Sequence, residues 1–267
     1  MTVAGGNGKG TEDNQLSSPE GLYVDDEGTV YVADRSSCCV MEWKQGASTG
    51  YRIVNANQLR FGSQRVPLPF DVIVDKETDS LVICDNGNKR IVQWPRRNGA
   101  SGRVIISSVD CQGLTMAEDG SLYVVNTGAA EVKRYRKGES QGTLVAGGNG
   151  VGNRLDQLHY PHSIFVDRNH AVYVSDARNV RVMKWTEGAT QGVVVAIHQG
   201  AAMGGTSLNS PCGIVVDQLG TVYIANDGPL GIIRWPKEVS SGTVIISGYG
   251  SDGTSSNLNR AVGLSFD

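Results

Sequence analysis

At 267 residues, with 24 Lys and Arg against 27 Asp and Glu, a net charge of −3 and a pI near 5.8, the chain gives no overall electrostatic reason to take nucleic acid or an anionic membrane as its main partner. No stretch approaches the roughly 20 apolar residues of a membrane span, and Met1–Gly6 lacks the basic and apolar regions of a signal peptide, so a soluble product is expected and its compartment is left open. The five cysteines, Cys38, Cys39, Cys84, Cys111 and Cys212, have no CxxC or Cys/His spacing, so neither a zinc site nor a disulfide framework is predicted.

In chain order, Gly21–Asp25 and Thr29–Asp34 are short runs rich in β-branched and aromatic residues, joined by Asp26-Glu27-Gly28, which reads as a hairpin. The turn Arg35-Ser36-Ser37 leads into Cys39–Trp43, and a Gly-containing loop leads on to Tyr51–Val54, which makes four strands. The same four recur as Asp71–Val74, Ser80–Cys84, Arg90–Trp94 and Arg103–Ile106, and again as Gly113–Met116, Ser121–Val125, Val132–Tyr135 and Thr143–Ala146. Two further copies follow. No copy holds an apolar run of helical spacing, which disfavours a parallel βαβ design.

The recurrence is periodic. The residues Gly21, Asp71, Gly113, Ser163, Gly213 and Gly263 are spaced by 50, 42, 50, 50 and 50 residues, and an aromatic, Trp43, Trp94, Tyr135, Trp185 or Trp235, stands 22 or 23 residues after each of the first five. Four-stranded units of this length cannot bury both faces alone and must stack, so one continuous domain over 1–267 is expected, with its core between units. The Gly-rich runs Ala4–Gly10 and Ala146–Gly152 lack the helix and the Lys-Ser/Thr of a phosphate loop, and read as flexible crossings between units. Adjacent Cys38 and Cys39 read as inert, half-buried thiols, because neighbouring strand residues point to opposite faces.

A Pro-X-Gly/Ser-Ile/Val-X-Val-Asp opening, a Val-Tyr-Val-X-Asp second strand and an Asn-X-Arg-Val/Ile-X-X-Trp third strand are legible in Pro161–Asp167, Val172–Asp176 and Asn179–Trp185. They recur in Pro69–Asp75, Asp85 and Asn88–Trp94, and in Pro211–Asp217 with Val222–Asn226. These motifs resemble the NHL-repeat family of β-propellers over essentially the whole chain. The resemblance implies an all-β propeller of five complete four-stranded blades. The termini extend it: Thr2–Gly6 matches the fourth strand Leu144–Gly148, and Gly263–Asp267 matches a first strand, so an incomplete sixth blade shared by the two ends is expected, with Val3–Gly5 pairing to Gly263–Phe266 or left as an open edge. On this reading the chain is part of a longer one.

Three chemistries follow from relatives of that fold. A propeller resembling the amidating lyases binds zinc through a His placed directly after the Pro in three blades; here that slot holds Glu20, Phe70, Gln112, His162, Cys212 and Val262, and one His is too few for a catalytic zinc. A lactonase-like reading uses Glu20 with Asn126 and Asn226 for a divalent cation, but an Asx residue ends the second strand of every copy, as Asp34, Asp85, Asn126, Asp176 and Asn226, and a turn accounts for all five. Single-stranded RNA binding would rest on Arg96-Arg97, Lys133-Arg134 and Arg136-Lys137, where exposed charge at a sheet edge is the simpler reading. The expectation is therefore a non-enzymatic scaffold without cofactor or metal. It would bind a protein, peptide or small ligand at a channel face lined by Glu20, Phe70, Gln112, His162 and Cys212, which occupy one slot in successive blades.

Overall fold

A computed structural model of the chain describes residues 2–55, 68–97, 101–198, 208–227, 231–247 and 261–266; of the sequence readings, Met1 and Asp267 lie outside them. Two compact units divide the chain, one of residues 1–116 with 265–267 and one of residues 117–264. Among the described residues twenty strands form five four-stranded sheets, each in chain order. The first holds β1 (Pro19–Val24), β2 (Val30–Asp34), β3 (Cys39–Trp43) and β4 (Tyr51–Val54); the second β5 (Pro69–Asp75), β6 (Ser80–Asp85), β7 (Arg90–Pro95) and β8 (Arg103–Ser107). The third holds β9 (Cys111–Met116), β10 (Leu122–Asn126), β11 (Glu131–Tyr135) and β12 (Thr143–Gly147). The fourth holds β13 (Pro161–Val166), β14 (Val172–Asp176), β15 (Arg181–Trp185) and β16 (Val193–Ile197), and the fifth β17 (Pro211–Val216), β18 (Val222–Asn226), β19 (Ile232–Trp235) and β20 (Thr243–Ile246). The five predicted units are all present. The only helical turns among the described residues are single 3-10 turns between second and third strands, as at Asn86–Asn88.

The core lies between sheets, where the repeat pattern demands it. In the first unit Tyr31, Ala33, Val40 and Val54 of the first sheet pack on Val72, Leu81, Ile83, Val92 and Trp94 of the second. In the second unit Tyr123, Val125 and Val132 pack on Val172, Val174, Met183 and Trp185, while Tyr173 and Val182 pack on Val222, Ile224, Ile233 and Trp235. Trp43, Trp94, Trp185 and Trp235 are at most 2% exposed, but Tyr135, predicted to join them, is only half-buried. Each aromatic lies flush on a later glycine that the sequence reading passed over: a Cβ at Gly50, Gly102, Gly142, Gly192 or Gly242 would stand 2.5–2.8 Å from the ring of Trp43, Trp94, Tyr135, Trp185 or Trp235.

The residues ending the second strands hold the loop that enters their own blade, which is a stronger constraint than a turn. Asp34 accepts the backbone N–H groups of Ser17 and Ser18 (2.9 and 2.7 Å), Asp85 that of Leu68 (3.1 Å), Asp176 that of His159 (2.7 Å) and Asn226 those of Asn209 and Ser210 (2.9 and 3.3 Å). The motif's Asn and Arg complete the clamp: Asn179 Nδ2 and Arg181 Nε donate to Asp176 Oδ2 (2.8 and 2.7 Å), and Asn88 and Arg90 do the same to Asp85. Arg181 also donates to the carbonyls of Asn153, Arg154 and Gln157 (2.8–3.0 Å), and such further hydrogen bonds make a buried pair tolerable.

The Gly-rich crossings are not flexible linkers. Gln15 Nε2 donates to the Asn7 carbonyl and Gln157 Nε2 to that of Asn149, both at 2.9 Å, and Lys9 bridges Leu16 as Val151 bridges Leu158. Gly147, at φ +66°, lies against the Ala130 carbonyl and the Leu158 side chain, a conformation and a space that admit only glycine. Neither Thr2–Gly8 nor 261–266 forms a strand among the described residues, so the expected two-stranded remnant of the termini is not seen there.

Cys84 and Cys111 are joined by a disulfide, which cysteine spacing did not predict. In the fourth sheet Ser175, two repeats' equivalent of Cys84, ties strands instead, donating from Oγ to the Cys212 carbonyl at 2.7 Å. Reduction of the disulfide is expected to lower the unfolding free energy by about 3 kcal/mol for a loop of this length. Urea denaturation with and without dithiothreitol measures it, and coincident curves would show that the bond does not hold the fold.

Candidate functional site

The slot residues sit on a recurrent irregularity. In β1 the pairing with β2 runs from Pro19↔Asp34 to Leu22↔Val32, in β5 from Pro69↔Asp85 to Asp71↔Cys84, in β13 from Pro161↔Asp176 to Ile164↔Val174, and in β17 from Pro211↔Asn226 to Ile214↔Ile224. Glu20, Phe70, His162 and Cys212 therefore fall within β-bulges, where the chain leaves the ladder and a side chain is re-aimed. The preceding Pro, which cannot donate to a ladder, is the sequence signal for the bulge. Within the first unit β1, β5 and β9 lie side by side, and within the second β13 lies beside β17.

The structure brings two of the five residues together. The Arg35 guanidinium stacks 4.7 Å from the Phe70 ring centre, and its Nη1 lies 3.8 Å from Glu20 Oε1. Arg35, which the sequence reading placed only in a turn, is thus the residue that links the slots of the first two copies. Glu20 and Gln112 are buried, Phe70 and His162 half-buried, and Cys212 is buried with its thiol turned toward the Ser210 carbonyl (3.5 Å).

Beside Phe70 stands Asp71, at the position where the other copies carry Gly or Ser. Its Oδ1 accepts the Val72 N–H (2.9 Å) and its Oδ2 the Leu114 N–H of the neighbouring first strand (2.8 Å). Gly21 leaves the room: a Cβ there would overlap the Asp71 carboxylate. Protein surrounds the carboxyl on all sides although part of the residue keeps open surface. Burial pushes its pKa up to about 7, against the pull of the two N–H groups.

Other candidates are spent on the fold. Asn226 Oδ1 is held by the incoming loop, and Asn126 Nδ2 donates to Glu131 Oε1 (3.1 Å). Most of the basic residues are matched by acids: Arg96 pairs with Asp25 and Asp79, Arg97 with Asp79, Lys133 with Glu131 and Arg134 with Glu187. Burial pushes the Cys39 thiol up to about 12 and raises that of Cys38, which leaves both protonated and unreactive near neutral pH. No helix among the described residues is long and apolar enough to cross a membrane.

Comparison with known proteins adds the following. A family model described as the NHL repeat matches residues 16–41, and no curated protein matches the chain. Among solved structures, a chain of a nidogen/laminin complex is similar over 92% of this chain and 84% of its own, with 14% identity and a TM-score of 0.69. A streptogramin B lyase is similar over 85% and 68%, with 12% identity and a TM-score of 0.61. Virginiamycin B lyase from Staphylococcus aureus is similar over 87% and 71%, with 14% identity and a TM-score of 0.61. At such identities the likeness is one of fold.

Proposed function

We propose that this chain, whose residues 16–41 match the NHL repeat and whose fold is that of a β-propeller, is a non-enzymatic binding scaffold for a protein, peptide or small ligand. The observation that carries this reading is the Arg35–Phe70–Glu20 cluster, in which a guanidinium whose side chain is 42% exposed is stacked on an aromatic ring and held near a carboxylate. Arg and aromatic residues dominate binding hot spots because a preformed stack presents area and charge at little entropic cost. The bulges of β1 and β5 carry Glu20 and Phe70, and β9, which carries Gln112, lies beside β5; His162 and Cys212 are the equivalent positions of the second unit. A nidogen/laminin complex among the fold's relatives supports a protein partner.

We infer in addition a sixth, incomplete blade. Ala4 and Leu16 pack on the cluster of Val32, Met41 and Trp43, as Ala146 and Leu158 pack on that of Val174, Met183 and Trp185. The first segment thus takes the place that the end of β12 and its crossing take in the fourth copy. Ser265 Oγ, 3.3 Å from the Val24 N–H, supports a first-strand role for the last residues.

The test is quantitative affinity capture with the wild type and with Arg35→Glu/Phe70→Ser. The wild type is expected to retain a defined partner that the double variant loses by at least about tenfold, at unchanged melting temperature. Equal retention by both proteins would remove the cluster from the binding face.

A further inference from the structure

We propose that the cavity of about 440 Å³ between the third and fourth sheets, framed by Tyr123, Arg134, His170 and Trp185, is a binding site for a small carboxylate with an apolar or aromatic body. It is separate from the Arg35 cluster and does not depend on it.

Two departures from the repeat face each other there. In the first, fourth and fifth copies the Tyr of the second strand donates its hydroxyl to the Asp that ends the first strand of its own blade: Tyr31 to Asp25, Tyr173 to Asp167 and Tyr223 to Asp217, at 3.3–3.5 Å. The third copy has Ala117 in place of that Asp, and the Tyr123 hydroxyl instead lies 3.3 Å from His170 Nδ1 of the next blade. His170, like Asp79 of the second copy at φ +47°, is a non-glycine residue in the left-handed region. It adopts φ +57° at the hairpin position that Gly28, Gly120 and Gly220 occupy in other copies with φ of 73–81°. A side chain in this left-handed conformation is disfavoured, and strain of this kind gathers at functional sites. The third copy thus lacks one carboxylate and meets one imidazole beside the polar end of this space.

The cation at that end is Arg134, which pairs with Glu187 and keeps one N–H unused. Arg134 is 9% exposed; its Nη1 donates to Glu187 Oε1 at 2.9 Å, and its buried Nε has no acceptor among the described residues. Glu187 is a half-exposed side chain on a turn, whose place at the guanidinium a ligand carboxylate would take. A guanidinium fork takes a carboxylate through two parallel hydrogen bonds, and Tyr123 and His170 supply further polar contacts at the same end. Leu144 and Val145, which keep open surface, also line the cavity and would take the apolar body. That wall favours an organic acid over a free inorganic anion.

The experiment is calorimetric titration of the full chain with phenylacetate, with its neutral amide and with inorganic phosphate. The wild type is expected to bind one phenylacetate with a Kd of about 1 mM or tighter, and the amide and phosphate at least about tenfold more weakly. Ala117→Asp supplies from within the chain the carboxylate that the ligand would bring, and is expected to abolish binding without lowering the melting temperature. His170→Gly restores the glycine of the other copies, so it is expected to fold at least as well and to weaken binding; it keeps the test open if Ala117→Asp does not fold. Three results each overturn the proposal: no saturable heat from phenylacetate up to about 10 mM, equal binding of the amide or of phosphate, or wild-type affinity in the repeat-restoring variants.

Discussion

Replacing Trp185 by alanine is expected to lower the unfolding free energy by about 3–5 kcal/mol, the range for truncating a fully buried large aromatic. Trp185 is 1% exposed, pairs across the sheet with Val172, and packs with Tyr123, Val174 and Met183 in the core between the third and fourth sheets. Its other face is covered by Gly192, which approaches so closely that a Cβ would stand 2.8 Å from the ring. Because rigid strands on both sides fix these distances, the surroundings collapse little into the vacated volume, and the cavity adds to the lost transfer free energy. Gly192→Ala tests the same contact from the other side and is expected to destabilise by overpacking, by about 1–3 kcal/mol. Urea denaturation of both variants gives the numbers; a loss below about 1 kcal/mol for Trp185→Ala would place the ring at the rim of the core and not within it.

The second large effect is a pH dependence set by Asp71. Its folded pKa of about 7 stands above the ordinary value of 3.8 because burial disfavours the ionised carboxyl. Below about pH 4 the folded and unfolded chains both hold this proton, and the group contributes nothing to the slope. Between there and about pH 7 the folded chain keeps a proton that the unfolded chain has released, so its contribution to stability falls as pH rises, at up to about 1.4 kcal/mol per pH unit, and levels off above. Asp71→Ser, which installs the residue of the fourth copy, is expected to remove that slope from denaturation curves recorded between pH 4 and 8. If wild type and variant show parallel dependences, the carboxyl is hydrated well enough to titrate normally.

Much of this architecture was legible before any coordinates. The strands of the first three copies lie within a residue or two of the spans read from the sequence, because alternation and turn chemistry are local properties that recur at a fixed period. The burial of four tryptophans followed from stacking. Tyr135 departed from that expectation: its ring meets Gly142 as the tryptophans meet their glycines, yet it remains half-buried. The Asx residues were recognised as structural, but their partners, the loop N–H groups of the preceding crossing, lie about 17 residues away, beyond the reach of a turn reading. The crossings were misjudged for the same reason: glycine content suggests flexibility unless one knows that Gln15 and Gln157 return to close the loop.

What the sequence by itself determined is the repeating unit, its four strands, the face each strand buries and the slot in which Glu20, Phe70, Gln112, His162 and Cys212 recur, since all of these are periodic and short in range. Only the tertiary structure decided what the departures from the period do. Cys84 meets Cys111 in a disulfide, Arg35 reaches from a turn to join Glu20 and Phe70, Asp71 packs against Gly21 and Leu114, and Tyr123 and His170 meet at a cavity beside Arg134. Each of these joins residues of different copies. Such contacts are set by how successive sheets stack, a relation between residues 15 to 50 or more apart that a local pattern does not encode.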